Sequence, residues 1–155
     1  MRTLIFSIAL LLSGCSAVNE NTTKIKNFYK CYIEKIPAPF WVCYQSSFMS
    51  VGKVYTEKPS RLKQEEAYSQ AVNDLIAKLQ NKTSKLLKKA NIKDKSILND
   101  IKNFVIVNAI EGNSWYDKKH HILYVEAKVD KDEFKKFLKE KLKIKDFEKL
   151  FNETF

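Results

Sequence analysis

SRLKQEEAYSQAVNDLIAKLQNKTSKLLKKA, residues 60–90, carries the period of a helix. Ala67, Ala71, Leu75 and Leu79 recur every four residues, flanked by Tyr68, Val72, Ile76, Leu86 and Leu87, so an apolar stripe runs the length of the segment. Glu65 and Glu66 near its start and the lysines near its end suit the helix macrodipole. The small residues at 67 and 71 allow a sheet to approach closely. This helix is the expected spine of a single domain, because 155 residues leave room for one core of ordinary size.

The flanks read as β structure. Upstream, Pro37 and Pro39 break any helix, and Phe40-Trp41-Val42-Cys43-Tyr44 predicts a strand entering the fold. It continues into residues 46–60, SSFMSVGKVYTEKPS, where Gly52 marks a bend or bulge. Downstream, a polar link near residues 91–100 precedes an alternating stretch. Leu123, Val125, Ala127 and Val129 share one strand face, with Ile122, Tyr124, Glu126 and Lys128 on the other. Val105, Val107 and Ala109 predict a partner strand, and Asp117-Lys118-Lys119-His120 a hairpin tip. Asp130, with Glu133 three residues on, opens a helix that buries Phe134, Phe137, Leu138 and Leu142, and Phe147, Leu150 and Phe151 add a last turn or two. The expected fold is α+β: an antiparallel sheet of about three strands packed by one long helix, with a helix at the C-terminus.

The N-terminus belongs to no core. Met1-Arg2 gives a positive n-region, Leu4 to Leu12 an apolar run of about nine residues, and Ser13-Gly14 the small residues of a cleavage site, which is the pattern of an export signal. Nine helical residues rise roughly 14 Å, too little to span a bilayer core of roughly 30 Å. Leu12-Ser13-Gly14-Cys15 resembles the bacterial lipobox, in which the cysteine thiol takes a diacylglycerol before cleavage. Cys15 is then the attachment point, since several acyl chains anchor stably where one is marginal. The expected organisation is a signal peptide at 1–14, a lipidated tether and docking segment at 15–36, and one α+β domain at 37–155. Ser16 after Cys15 fits transfer to the outer membrane.

Export changes the meaning of the other cysteines. In an oxidising compartment Cys31 and Cys43 form either a disulfide or two reduced thiols, and their spacing matches neither C-x-x-C nor a zinc pattern.

Several features in this order resemble the Lpp-twenty lipoproteins of the Helicobacter and Campylobacter type. They are Pro39-Phe40-Trp41-Val42, Gly52, Ala67, Ala71 and Leu75 on a helix, Trp115-Tyr116-Asp117, Tyr124-Val125 and Val129-Asp130, together with the lipobox. The resemblance covers roughly residues 38–142. It implies an outer-membrane or surface lipoprotein with a dodecin-like βαββ core. Relatives of that type include proteins that multimerise beneath the outer membrane in the flagellar motor's disk, and others proposed as adhesins. Cys31, Cys43 and the abundance of lysine depart from the family pattern.

The formal net charge is +10, one unit of which leaves with Arg2. Lys78, Lys82, Lys85, Lys88 and Lys89 lie in a stretch to residue 95 with seven lysines and one acid, Asp94. Two readings stand: a basic patch for an acidic glycan, lipopolysaccharide phosphate or acidic partner, or a solvated helix end. Nucleic acid fits poorly, because Arg61 is the sole arginine after the signal and bidentate recognition favours arginine. No G-x-S-x-G elbow, P-loop or H-E-x-x-H motif is present. His120-His121 beside Asp117 is the one pair that invites a metal, yet neighbours on a strand face opposite ways. Neither a cofactor nor a metal is therefore expected, and no catalytic residue. The expected function is that of a non-enzymatic envelope lipoprotein held in the outer membrane through Cys15. It makes contacts with its own copies, with envelope or flagellar proteins, or with a host surface. The alternative is a periplasmic ligand-binding or enzymatic domain with a pocket between the long helix and the sheet, near Trp115 and His121.

Overall fold

The period of residues 60–90 is realised as one helix over Arg61–Lys89 in the computed structural model, which describes residues 30–155. The signal peptide, Cys15 and the tether up to residue 29 lie outside the described residues. In chain order the described elements are β1 (Cys31–Ile33), β2 (Ile36–Ala38), α1 (Phe40–Cys43), β3 (Met49–Tyr55), α2 (Arg61–Lys89), α3 (Ile97–Asn108), β4 (Ile110–Asp117), β5 (Ile122–Lys128), α4 (Lys131–Leu142) and α5 (Phe147–Asn152).

Both ends of α2 are specified locally. The Ser60 hydroxyl accepts the Lys63 N–H at its start. At its end, Asn91 takes a left-handed φ of 56°. The N–H groups of Asn91 and Ile92 then close onto the carbonyls of Lys88 and Leu87, which satisfies the last turn.

Strands β3, β5 and β4 form an antiparallel sheet with β5 in the middle. The α2 face of the sheet carries Val54, Leu123 and Val125 against Ala67, with Tyr68 and Tyr116 packed at the margin. Gly52 neither bends nor bulges the strand, since it pairs regularly with Val125. Its role is space: a Cβ there would overlap the Ala67 carbonyl oxygen and lie 2.7 Å from the Ala71 N. The helix backbone therefore rests directly on the strand, and at that point nothing fits between helix and sheet. The irregularity in the sheet is in β4, between Glu111 and Ser114.

Beyond the sheet, the second half of α2 builds a larger apolar core with α3, α4 and α5. Leu75, Leu79, Leu86, Ile101, Val105, Phe134, Leu138 and Phe151 are fully buried in it. Rings of Phe48, Phe134, Phe151 and Phe155 meet there at centroid separations from 4.6 to 6.2 Å. Asp130 caps α4 by accepting the N–H groups of Asp132 and Glu133.

Two expected strands are helices. Residues 97–108 form α3, so Val105 and Val107 are helical and the partner strand begins only at Ile110. Burial of Ile97, Ile101 and Val105 at four-residue spacing outweighs the strand preference of Val-Ile-Val. Ile97 and Leu98, at the end of what reads as a polar link, are the first turn of that helix. Phe40–Cys43 is the second case. Cys43 is bridged to Cys31, and Ala38 already lies opposite Cys31 in the β1–β2 register. An extended run from 38 to 43 would carry the chain roughly 16 Å away, whereas the bridged Cα atoms are 5.7 Å apart. A helical turn folds it back.

The compact unit begins at Cys31, so the boundary expected after residue 36 passes through the β1–β2 hairpin. Residues 31–36, within the expected tether and docking segment, belong to the disulfide-closed piece, residues 31–43. Its helix α1 packs against β5. Tyr124 and Glu126, on the sheet face turned away from α2, are buried.

Candidate functional site

Charged groups converge where the β4–β5 tip meets the turn of the disulfide hairpin. Asp117 ends β4 with a buried side chain, and its Oδ1 accepts the N–H groups of Lys119 at 3.0 Å and His120 at 3.2 Å. That is why the sequence DKKH turns here: the carboxylate folds the following backbone around itself. The second oxygen takes His120 Nδ1 at 2.6 Å. The other ring nitrogen, Nε2, lies 3.0 Å from Glu34 of the β1–β2 turn. Glu34 and Lys35 reach this position through left-handed backbone, with φ of 44° and 72°.

Two carboxylates on two ring nitrogens require both nitrogens to donate, so the arrangement selects the imidazolium. The hydrogen bond to Asp117 raises the His120 pKa against the opposing effect of burial, and the charges of Asp117 and Glu34 add to it while Lys119 opposes. Burial pushes the Asp117 carboxyl up, but hydrogen bonds from the His120 ring and from the N–H groups of His120 and Lys119 outweigh it and hold the group below its ordinary value. A nitrogen committed to each carboxylate leaves His120 no free base for proton transfer. The geometry is that of an ion-paired latch between the disulfide hairpin and the sheet.

His121 serves a separate group. Its φ is 54°, its carbonyl accepts the Thr56 N–H at 2.8 Å, and its Nδ1 lies 3.1 Å from the Tyr116 hydroxyl and 3.4 Å from Glu57. The two histidines thus turn to different carboxylates. Among the described residues no group of three or more His, Cys, Asp or Glu side chains is arranged to hold a metal ion. Trp115 is half-buried and lies against Tyr124, with centroids 5.3 Å apart.

The latch has a pH signature. A raised histidine pKa stabilises the fold fully below the unfolded value of about 6.5 and loses that contribution as pH rises through the folded value. The depressed Asp117 pKa works the other way, contributing above about 3.9 and fading in acid. Wild type is therefore expected to lose more thermal stability than His120→Gln between pH 6.5 and pH 9. Parallel melting-temperature profiles for the two proteins would remove the latch.

The lysines of the expected patch divide. Lys78 is drawn inward, donating to Met49 O at 2.6 Å, Gln45 Oε1 at 3.1 Å and Ser46 O at 3.3 Å, and burial lowers its pKa. Lys82 donates to Thr154 O at 2.8 Å, and Lys89 to Glu153 O at 3.3 Å. These three fasten the 45–49 segment and the chain's C-terminus to α2. Lys85 and Lys88 are exposed. A continuous five-lysine surface is thus not what the helix presents. Cys31 and Cys43 are joined by a disulfide. Cys15 lies outside the described residues.

Sequence reasoning had Asp117, His120 and His121 in view but not Glu34, which lies more than eighty positions upstream and is brought in by a hairpin that the Pro37 and Pro39 signals obscured. No helix of the described residues is long and apolar enough to cross a membrane. No protein-family model matches the chain, and no curated protein matches it.

Proposed function

We propose that the chain is a bacterial envelope lipoprotein, fixed to the outer membrane through Cys15, whose α+β domain works by contact with other envelope components or with its own copies and not by catalysis. The observation that carries this reading is the order of features at the entry to the domain. A lipobox cysteine is followed by a polar stretch, and the compact unit starts at Cys31, where a disulfide closes at once. A domain hung on a lead gains from a clamp where the lead ends, and a disulfide there suits an oxidising compartment. The commitment of both His120 nitrogens to carboxylates supports a structural use of the one histidine cluster that could have served chemistry. The resemblance to the Lpp-twenty lipoproteins points the same way.

The experiment is fractionation of cells making wild type or Cys15→Ala, with labelled palmitate. The wild-type protein is expected in the membrane fraction carrying label, and the variant without label and with its export signal uncleaved. An unlabelled wild type, or a variant that still carries label, would refute the anchor. Light scattering on the Cys15→Ala protein then reads self-association apart from the lipid.

A further inference from the structure

A recess of about 420 Å³ opens where the ends of α2 and α4 meet the start of α5, and Lys89, Lys143, Lys145 and Lys149 all line it. Its apolar lining comes from half-buried residues that pack on the core, among them Ile92 and Ile144. Neighbouring lysines have ion-pair partners: Lys135 and Lys139 share Glu148, and Lys141 pairs with Asp100 at 3.0 Å. Lys89 has Glu153 at 3.6 Å. Lys143, Lys145 and Lys149 are exposed and have no ion pair among the described residues. The acids of the lining, Asp146 and Glu153, leave it with more cation than anion.

Lys143 and Lys145 lie in the loop between α4 and α5, and Lys149 on α5 itself. Lys143 and Asp146 both have left-handed backbone, with φ of 45° and 57°, although neither is glycine. Lys143 is the left-handed C-cap of α4, its N–H closing onto Lys139 O, and Asp146 stands just before α5, so the two turns fix the path of the loop that carries Lys143 and Lys145. Compensation of the helix dipole does not account for the arrangement, because Lys139 and Lys141 already occupy the last turn of α4 while Lys143 and Lys145 lie past it.

We propose that this recess binds the phosphate headgroup of an anionic lipid at a membrane surface. Lysine is a point charge suited to a hydrated phosphate, and no arginine is present for bidentate capture of a carboxylate. The apolar lining meets the glycerol and the first methylenes of the chains, which a free anion or an acidic peptide does not require. The volume suits a headgroup. The recess lies at the opposite end of α2 from the hairpin tip, which Thr56 and His121 join to the loop before Ser60. The protein would therefore meet lipid at a second place besides Cys15.

The probe is co-sedimentation of the full-length Cys15→Ala protein with phosphatidylcholine vesicles, with and without about one-quarter phosphatidylglycerol. Binding is expected only with phosphatidylglycerol. In that background Lys143→Gln/Lys145→Gln/Lys149→Gln should weaken it roughly tenfold or more. Lys53→Gln/Lys58→Gln/Lys118→Gln, which removes the same charge from exposed positions elsewhere, should stay within about twofold. Equal losses in the two triple variants would reduce the effect to net charge and overturn the site, as would absence of binding. Release by inorganic phosphate at constant ionic strength would also overturn the proposal, by assigning the recess to the free anion. Membrane fractionation of wild type is unaffected by any of these outcomes, so failure here leaves the Cys15 reading standing.

Discussion

Gly52→Ala is expected to be the most damaging single methyl group that can be added to this protein. The new Cβ would enter the Ala67 carbonyl oxygen and stand 2.7 Å from the Ala71 N. Both are backbone atoms of α2, so no rotamer change relieves the clash. The helix must lift from the sheet along Val54, Leu123, Val125 and Ala67, all of them buried. Overpacking a core usually costs about 1–3 kcal/mol, and a clash with helix backbone belongs at or above the top of that range. Small domains hold only about 5–15 kcal/mol in total, so the variant should unfold at clearly lower urea and Gly52→Val should fail to accumulate. Gly112→Ala is the internal control. Its Cβ would meet the Glu126 side chain, with Cδ at 2.7 Å, and that side chain is flexible. It is not free of cost, since the carboxylate accepts the Asn113 N–H at 2.9 Å and the Asn113 side-chain amide at 2.8 Å. The order expected in urea denaturation is wild type, then Gly112→Ala, then Gly52→Ala. If Gly52→Ala matched wild type, the direct contact between strand and helix would be wrong.

This contact shows how far the sequence could be read. The four-residue recurrence of Ala67, Ala71, Leu75 and Leu79 states the helix and its buried stripe, and the small residues state that something comes close. What comes close is not stated. Gly52 by itself reads as a bend, because glycine's usual meaning is conformational, and only the pairing with Val125 shows that its meaning here is room. The β5 alternation and the Asp130 cap are also local and were legible. Val105-Ile106-Val107 misleads because three β-branched residues outweigh a four-residue period that starts among polar neighbours. Ile106 and Val107 remain largely exposed in α3, so two of the three residues that suggest a strand contribute little to the helix's burial, which Val105 alone of them supplies. The lysines mislead differently: charge is visible in a sequence, but a lysine that donates to carbonyls, as Lys78 and Lys82 do, looks the same as one that waits in solvent. The His120 latch was half legible. Asp117 and His120 are three residues apart and turn chemistry unites them, whereas Glu34 arrives by tertiary contact alone.

Removal of the Cys31–Cys43 bridge, by Cys31→Ser/Cys43→Ser, is expected to loosen one layer and leave the others. With a sequence separation of 12, the chain-entropy estimate of the bridge's contribution is about 3 kcal/mol. That loss should not be shared evenly. The hairpin of β1 and β2 has three residues per strand, too short to stand alone in water. Besides the bridge, residues 31–43 are held by contacts that include α1 against β5 and the Glu34–His120 pair at 3.0 Å, and an ion pair with one exposed partner contributes little. The core of α2, α3, α4 and α5 shares no residue with the bridge apart from chain continuity through 44–48. Amides of residues 31–43 should therefore lose most of their exchange protection in the double variant, while Val125, Leu75 and Phe134 keep theirs. The Trp115–Tyr124 face, covered in the wild type, should become accessible to a fluorescence quencher. Reduction of the wild-type protein should reproduce both changes and reoxidation reverse them. Uniform loss of protection across the domain would mean that the disulfide layer is part of one cooperative unit, and unchanged protection at 31–43 would mean that the bridge adds nothing that α1 and the latch do not already supply.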